Sequence, residues 1–466
     1  MKSNKIFLLV ATTLALGLTT ATAQVRNSYF LRGATERYAL NPALSPNRGY
    51  FAIPVVGFTT AVESNYLSAE NFLFPAADGN GLVTYMHSSV EADKFLGNLP
   101  DMNRLDMNFH DRILGVGNYF HRGFWSVDFS LRSESNITIP KHFFALTKTL
   151  ATGSYDIAGL GIESNQFVEA SLGYTFPVQD VFTLGIRAKA LLGLAHLSAQ
   201  LNKADITIGT NQYTADLAGT IQTNVAGYNF EGLHGEVSFD QFLGHVTDFS
   251  NFSPNNINSV GFALDAGIEW TFKDEQIRLS AAVTDLGFMA WAPQSIYRGE
   301  ISNVGFSFKG FDLATNEVVF TTPEKVTMQT ADVEGAEQGQ VKQLLHTNYI
   351  VGLEYNVLND AIGLGAVWYG KQYGSELVNQ IVVAATFRPA TWLSATISEG
   401  FYPGSKIGVL GAALNFHSSF LNFFVGLDHI GTKYGTSMGG QVPVPINQQS
   451  VNLTFGLSIP LGARLF

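Results

Sequence analysis

Fourteen segments of this chain alternate apolar and polar residues, and the connections between them alternate between tight and long. A period of two is the signature of a β-strand, because successive side chains point to opposite faces. Val260 to Phe272, "VGFALDAGIEWTF", shows it without a fault: Val260, Phe262, Leu264, Ala266, Ile268, Trp270 and Phe272 share one face. Gly261, Ala263, Asp265, Gly267, Glu269 and Thr271 share the other. The segments run over about 49–58, 104–120, 123–136, 155–176, 181–202, 258–272, 275–289, 346–357, 360–371, 376–388, 391–402, 405–417, 419–431 and 449–461. Most reach the ~9–11 residues that a tilted strand needs to cross a bilayer. Tight connections fall at "HRG" (121–123), 177–180, 273–275, 358–360, 388–391 and 417–419. The other set includes 59–103, 137–154, 203–257, 290–345 and 432–448, with short members near 372–375 and 402–404. A soluble sandwich has no reason to keep that parity. A membrane barrel with periplasmic turns on one rim and external loops on the other requires it. The expected fold is all-β: a transmembrane antiparallel β-barrel of 14 strands, with both termini on the short-turn rim.

Composition narrows the class further. Charged residues make up 14% of the chain, against the ~25% usual in soluble domains, and there are 46 Gly, 36 Phe and 17 Tyr. The start, "MKSNKIFLLVATTLALGLTTATAQ", has basic Lys2 and Lys5, an apolar run from Ile6 to Leu18 and small residues at Ala21-Thr22-Ala23. That is the pattern of a cleaved secretory signal over 1–23, with a mature chain beginning near Gln24. No later run approaches the ~20 apolar residues of a spanning helix. The expected location is therefore the outer membrane of a Gram-negative cell, with outer-membrane lipid as the first partner. Cys is absent, which excludes disulfides and thiolate metal sites. The formal charge of −11 becomes two units more negative once Lys2 and Lys5 leave, which argues against nucleic acid as a partner.

The strand faces indicate which solvent each side meets. In "FVEASLGYTF", Val168, Ala170, Leu172, Tyr174 and Phe176 oppose Glu169, Ser171, Gly173 and Thr175. Trp125, Val127, Phe129 and Leu131 oppose Ser126, Asp128, Ser130 and Arg132. Leu264, Ile268, Leu172, Phe129 and Leu453 are expected to face lipid near mid-membrane. The polar face is rich in Gly, Ser and Thr, which suits a plugged lumen better than a wide pore. Its charges are Asp128, Arg132, Glu169, Arg187, Lys189, Asp265 and Glu269. Arg187 lies one strand from both Glu169 and Asp265. Two readings stand: a cross-strand ladder of ion pairs that stiffens the wall, or a polar stripe that orients a substrate head group. Strand seven contains a conflict. Continuing the register of Ile277, Leu279, Ala281 and Val283 would put Asp285 and Gly287 in lipid. A one-residue bulge at Thr284–Asp285 removes it, returns Leu286, Phe288 and Ala290 to lipid and leaves Trp291 at the outer interface, with Gly287 relieving the bend. Such a bulge either ends regular pairing or opens a lateral gap.

Residues 24–48 lack sustained alternation and precede the first strand, so they are expected to form a hatch in the lumen, ahead of a barrel over 49–466. Tyr29, Phe30 and Leu31 need cover, and Arg32 and Arg37 need acids. The final Phe466 resembles the terminal aromatic of Gram-negative outer-membrane barrels; the strand pattern with Asn41-Pro42-Ala43 before it resembles the long-chain fatty-acid transporter superfamily, and "LSAAVTDLGFMAW" (279–291) resembles uncharacterised Bacteroidota outer-membrane proteins of this type. That resemblance implies fourteen strands, an N-terminal hatch carrying Asn41, Pro42 and Ala43, and passage of ligand past a moving hatch. Short helices are expected in external loops over 88–100, after Ser88 and Ser89 caps, and over 139–153, between Pro140 and Gly153. "GTSMG" at 435–439 matches the nucleophile-elbow spacing but lacks the strand-then-helix context. His110 and His196 are expected to be lumenal and structural. No metal, cofactor or enzyme pattern emerges. The functional expectation is passive uptake of a hydrophobic or amphipathic small molecule, drawn by Phe-rich loops such as "NFLFPAADG". The alternative is a non-transport partner in secretion or surface attachment, with a protein docked on the external loops.

Overall fold

The structure is a computed structural model. It describes residues 26–462 except 55, 65–66, 68, 77–81, 180, 210–212, 231–235, 239–240, 242–243, 246, 273–275, 293–295, 313–316, 322–326, 330–340, 375, 403–407, 431–433, 438–441 and 446–450. The signal segment 1–23, the turn 273–275 and Phe466 lie outside the described residues.

Fourteen antiparallel strands close into a barrel. They are β1 (Gly49–Ala52, continued by Gly57–Ser64), β2 (Met102–Phe120), β3 (Gly123–Pro140), β4 (Gly161–Gln179), β5 (Phe182–Ile208), β6 (Val260–Phe272) and β7 (Ile277–Trp291). Then follow β8 (Val341–Leu344, continued by Asn348–Val357), β9 (Ile362–Tyr373), β10 (Glu376–Ala390), β11 (Leu393–Phe401), β12 (Gly408–His417), β13 (Asn422–Ile430) and β14 (Val451–Leu461). Each pairs with the next, and β14 returns to β1 through Ala52↔Ser458 and Val62↔Val451. β1 breaks after Ala52, where Pro54 lacks the N–H that a ladder needs.

Burial alternates along the walls in the sense set by period two. Phe262, Leu264, Ile268 and Trp270 are 45%, 45%, 40% and 46% exposed, while Asp265 between them is 1% exposed. Phe129 and Leu172 also face outward, and Leu453 is half-buried. A continuous outward apolar belt of this kind is a surface for lipid, and the inward face carries the polar groups. No helix among the described residues is long and apolar enough to cross a membrane.

Beyond the expected strand ends the structure differs from the sequence reading. β5 has 27 residues, which at about 3.3 Å each reach roughly 90 Å, against a hydrocarbon core of about 30 Å. Its inner part pairs with β6 as far as Leu192↔Val260. From Ala195 outward the same edge pairs instead with Tyr213–Val225, which pairs in turn with Ile296–Asp312. Stretches 203–257 and 290–345, read as loops, therefore supply an outer sheet. Gly153–Asp156, read as the start of β4, pairs with the tip of β5. Helices form at Ala92–Leu96 and Lys141–Thr149. The first is preceded by Glu91 with no side-chain cap, not by a serine cap. The second ends at left-handed Leu150 before Gly153 is reached. Tyr434–Ser437, carrying part of "GTSMG", pairs in a hairpin with Val442–Pro445.

Candidate functional site

The interior is organised around residues 26–48. Tyr29, Phe30, Leu40 and Leu44 are buried against inward-facing Ala282, Ile350 and Val367 of the wall. Tyr29 Oη is hydrogen-bonded to Ser280. The Arg26 backbone N–H donates to Asp428 at 2.9 Å, and its guanidinium donates to Glu63 at 2.7 Å. Asn422 donates to the Gly33 carbonyl at 2.9 Å.

Asn41, Pro42 and Ala43 meet the wall at β4–β7. Asn41 Nδ2 donates to the carbonyls of Ile268 and Ala281, each at 3.3 Å. Asn41 Oδ1 accepts from the Ala43 N–H at 2.8 Å, and Thr175 Oγ1 donates to the Pro42 carbonyl at 2.6 Å. The wall makes room with glycine. A Cβ on Gly185 would sit 2.1 Å from the Pro42 carbonyl, and one on Gly267 would sit 1.9 Å from Asn41 Oδ1. Gly352, Gly365 and Gly456 lie under Tyr29, Phe30 and Glu36 in the same way. These inward glycines trace the footprint of the N-terminal segment on the wall, and the sequence carries that signal as glycine at lumen-face positions.

The wall charges separate into groups. Arg132 pairs with Glu134 at 2.6 Å, Glu169 at 2.7 Å and Asp285 at 2.7 Å. Lys189 pairs with Asp265 at 2.9 Å and Asp285 at 2.6 Å, and Arg187 pairs with Asp265 at 2.8 Å. All are buried. Asp128 lies apart, accepting from Tyr50 at 2.9 Å, and Glu269 pairs with Arg278 at 3.2 Å. Thus five of the seven expected lumen charges, Arg132, Glu169, Arg187, Lys189 and Asp265, form one network with Glu134 and Asp285, while Asp128 and Glu269 stay outside it. Glu134, Glu354 and the residues Arg104, Asp106, Asn108 and Arg112, which share the polar face of β2 with the expected His110, were not singled out from sequence. The β2 residues are legible there as a period-two polar face.

The network sits on an irregularity of β7. Against β6 the register runs Leu264↔Leu286 and then Ala266↔Val283, so one extra residue of β7 lies opposite Asp265. Asp285 adopts φ 60° and its N–H donates to Asp265 Oδ1 at 2.8 Å. Asn348 donates to Thr284 Oγ1 and to the Asp285 carboxylate, each at 3.2 Å. Gly287 tolerates no side chain, since its Cβ would lie 2.1 Å from the Phe262 carbonyl. Toward β8 the paired residues pass from Thr284↔Asn348 to Phe288↔Leu344. Between them the Leu345 N–H donates to the Gly287 carbonyl at 3.0 Å. Beyond the bulge Leu286 and Phe288 face outward, but Ala290 and Trp291 do not. Trp291 is fully buried, stacked on His196 at 5.0 Å and packed with Phe167, Leu191 and Met289. Trp291 lies on the same strand face as buried Met289 and its indole N–H donates to Gln343 at 3.0 Å, so a ring expected at the lipid interface becomes core. His196 bonds Asn165 at 2.7 Å, whereas His110 Nε2 has no hydrogen-bond partner among the described residues.

Two cavities flank the hatch. The external one, about 440 Å³, is lined by cations such as Arg104, Arg132 and Lys189 together with the carboxylates Asp106, Glu134 and Glu169. The one on the short-turn side, about 770 Å³, is lined by Arg32, Arg37, Arg278 and Arg388 with Glu269 and Asp360. Burial lowers Arg37 from its ordinary value and brings Arg32 to about 10, which leaves Arg32 cationic at neutral pH. Phe72 and Phe74 of the Phe-rich segment near 71–79 pack with Phe95 and Phe144 in a small core of that loop.

A family model described as a family of unknown function matches residues 42–428. No curated protein matches the sequence. Among solved structures, a TodX monoaromatic hydrocarbon channel mutant is similar at 6% identity and TM-score 0.40, covering 94% of this chain and 95% of its own. A Pseudomonas aeruginosa FadL homologue is similar at 9% identity and TM-score 0.39, with 94% and 98% covered. The translocator domain of the autotransporter NalP from Neisseria meningitidis is similar at 6% identity and TM-score 0.33, with 94% and 100% covered. The strand pairing itself, not these likenesses, carries the fold.

Proposed function

The chain belongs to that family, DUF5723, and we propose that it is an outer-membrane channel gated by its own N-terminal hatch, for passive uptake of a small amphipathic molecule. The carrying observation is the pair of cavities, about 440 and 770 Å³, on either side of a hatch that is bonded to the wall. An amphipathic solute is favoured over a plain hydrocarbon because both cavities are lined by charged groups, and an apolar solute there would strip those groups of water. In this reading Asn41, Pro42 and Ala43 latch the hatch, and the Arg132–Lys189–Asp285 network holds the wall rigid beside it. The bulge at Thr284, Asp285 and Gly287 marks where a lateral gap would form. The test is flux: lipid vesicles holding the purified full chain are loaded with a panel of fluorescent amphiphiles. Gly185→Val, which pushes against Pro42, should raise the flux of at least one. No flux above empty vesicles, for wild type and variant across the panel, would defeat the reading.

A second reading, docking of a protein in secretion or surface attachment, rests on the outer sheet of Tyr213–Val225 and Ile296–Asp312 built on the tip of β5. A sheet held so far beyond the bilayer serves no need of the barrel wall. Isolation of the native protein with a stoichiometric partner, lost when that sheet is deleted, would favour it.

A further inference from the structure

Two opposite walls meet across the external mouth of the lumen. Asn108 on β2 and Lys371 on β9 have six strands between them whichever way the barrel is followed. Fourteen strands about 4.8 Å apart and tilted by about 40° would close a circle roughly 25–30 Å across. Yet Lys371 Nζ donates to Asn108 Oδ1 at 3.2 Å. Further out on β2, Arg104 pairs with Glu376 at the start of β10 at 3.0 Å, and its guanidinium lies 4.4 Å from the centre of the Tyr373 ring. The walls therefore approach each other at the external cavity, whose lining includes all five residues.

The far end of this strap is the connection 373–376, one of the two short ones on the rim of long loops. Gly374 there adopts φ 54° in open space, with no described atom within 4 Å of where a Cβ would stand. The Glu376 side chain is 66% exposed, while that of Arg104 is 7% exposed. Release of Glu376 returns its carboxylate to water, and Arg104 keeps Asp106 at 2.8 Å. Opening therefore strands no buried charge, which is what makes most buried pairs costly to part. We propose that this strap is a second closure of the lumen, on the external side, and that it opens when the tip of β9–β10 lets go of Arg104 and Asn108. The closure is independent of the N-terminal segment, and only its use as a gate for solute rests on the channel reading.

The chain has no Cys, so one thiol placed in the cavity can report on access. His110 lines the cavity and its Nε2 has no hydrogen-bond partner among the described residues, which makes His110→Cys a mild change. The full chain carrying it is placed in phosphatidylcholine nanodiscs and labelled with two uncharged maleimides, one small and one on a polyethylene glycol chain. The ratio of the bulky to the small rate reads access and cancels the reactivity of the thiol. Ser89→Cys, exposed on an external loop, is the open reference. The ratio at His110→Cys should lie well below that reference. Adding Glu376→Gln should raise it at least about threefold, as loss of a partly solvated ion pair does. Salt raised from about 0.01 M to about 1 M, which shortens the screening length from about 30 Å to about 3 Å, should also raise it, and should do little once Glu376→Gln is present. Lys371→Gln repeats the test on the second bond, and Lys203→Gln, which breaks an ion pair of the outer sheet, should change nothing. A ratio at His110→Cys equal to the reference would show an open mouth and overturn the strap. A ratio unmoved by Glu376→Gln, or by salt, would show that closure does not depend on this pair and overturn it as well. Access is read without flux, so vesicles with no flux while these ratios behave as stated defeat the channel and leave the closure.

Discussion

The two arcs of the barrel wall solve the same problem, a polar lumen, with different chemistry. Along β3–β7 the inward face carries Arg132, Glu134, Glu169, Arg187, Lys189, Asp265 and Asp285. Along β10–β14 it carries mainly Thr386, Thr396, Ser398, Asn415, Thr454 and Ser458. The neutral groups bond across one strand boundary, as Thr386 does to Thr396 at 2.8 Å and Asn415 to Asn422 at 2.7 Å. The charged groups reach further: Arg132 on β3 holds Asp285 on β7, with three strands between them. The difference follows from the wall beneath. A regular ladder needs only local pairs, while the bulge at Thr284–Asp285 leaves backbone and carboxylate groups that long cationic side chains can reach and satisfy.

That contrast can be broken most sharply at Arg132. Arg132→Met leaves three buried carboxylates without their shared cation and should cost about 3–5 kcal/mol in denaturant unfolding of the reconstituted protein. A loss under about 1 kcal/mol would place the network among solvated ion pairs. The outward face should not distinguish the arcs. Leu264→Arg on β6 should cost about 2–4 kcal/mol if the residue lies near the bilayer midplane, and Ile397→Arg on β11 should fall in the same range. A Leu264→Arg protein that folds like wild type would reverse the face assignment. The hatch is fastened to the charged arc through Asn41, so Asn41→Ala should cost about 1–3 kcal/mol by leaving the Ala43 N–H unsatisfied. The same variant should expose residues 26–48 to protease sooner than wild type. On the neutral arc Thr386→Val should cost only about 0.5–1.5 kcal/mol, and the double change with Thr396→Val should be nearly neutral, since both partners leave together. A double variant as damaged as Arg132→Met would erase the distinction between the arcs.

Much of the barrel was legible before any coordinates. Period two in β6 separates Leu264 from Asp265 because a strand can place neighbours only on opposite faces. The conflict at Asp285 is visible as a carboxylate arriving on the wrong face. The network was legible only in part. Arg187 and Asp265 are direct cross-strand partners, Arg187↔Asp265, and adjacency reveals them. Arg132 with Asp285, and Arg26 with Glu63, are joined through the lumen, and no local pattern encodes those pairs. Trp291 differs for a related reason: its strand position is ordinary, but it packs with Phe167 and Leu191 and bonds Gln343, partners that no local pattern assigns to it.

The sequence by itself determined the strand count, the two faces and the rim of short turns. These depend on periodicity and on connection length, which are local. The tertiary structure alone decided that Gly185 and Gly267 lie under Pro42 and Asn41, that Arg132 bridges β3 to β7, and that Arg32 pairs with Asp360 while the buried Arg37 side chain has no ion pair among the described residues. Those facts depend on closure. Bringing β14 back to β1 sets the distances across the lumen, and only at those distances do charges far apart in the chain meet or miss each other.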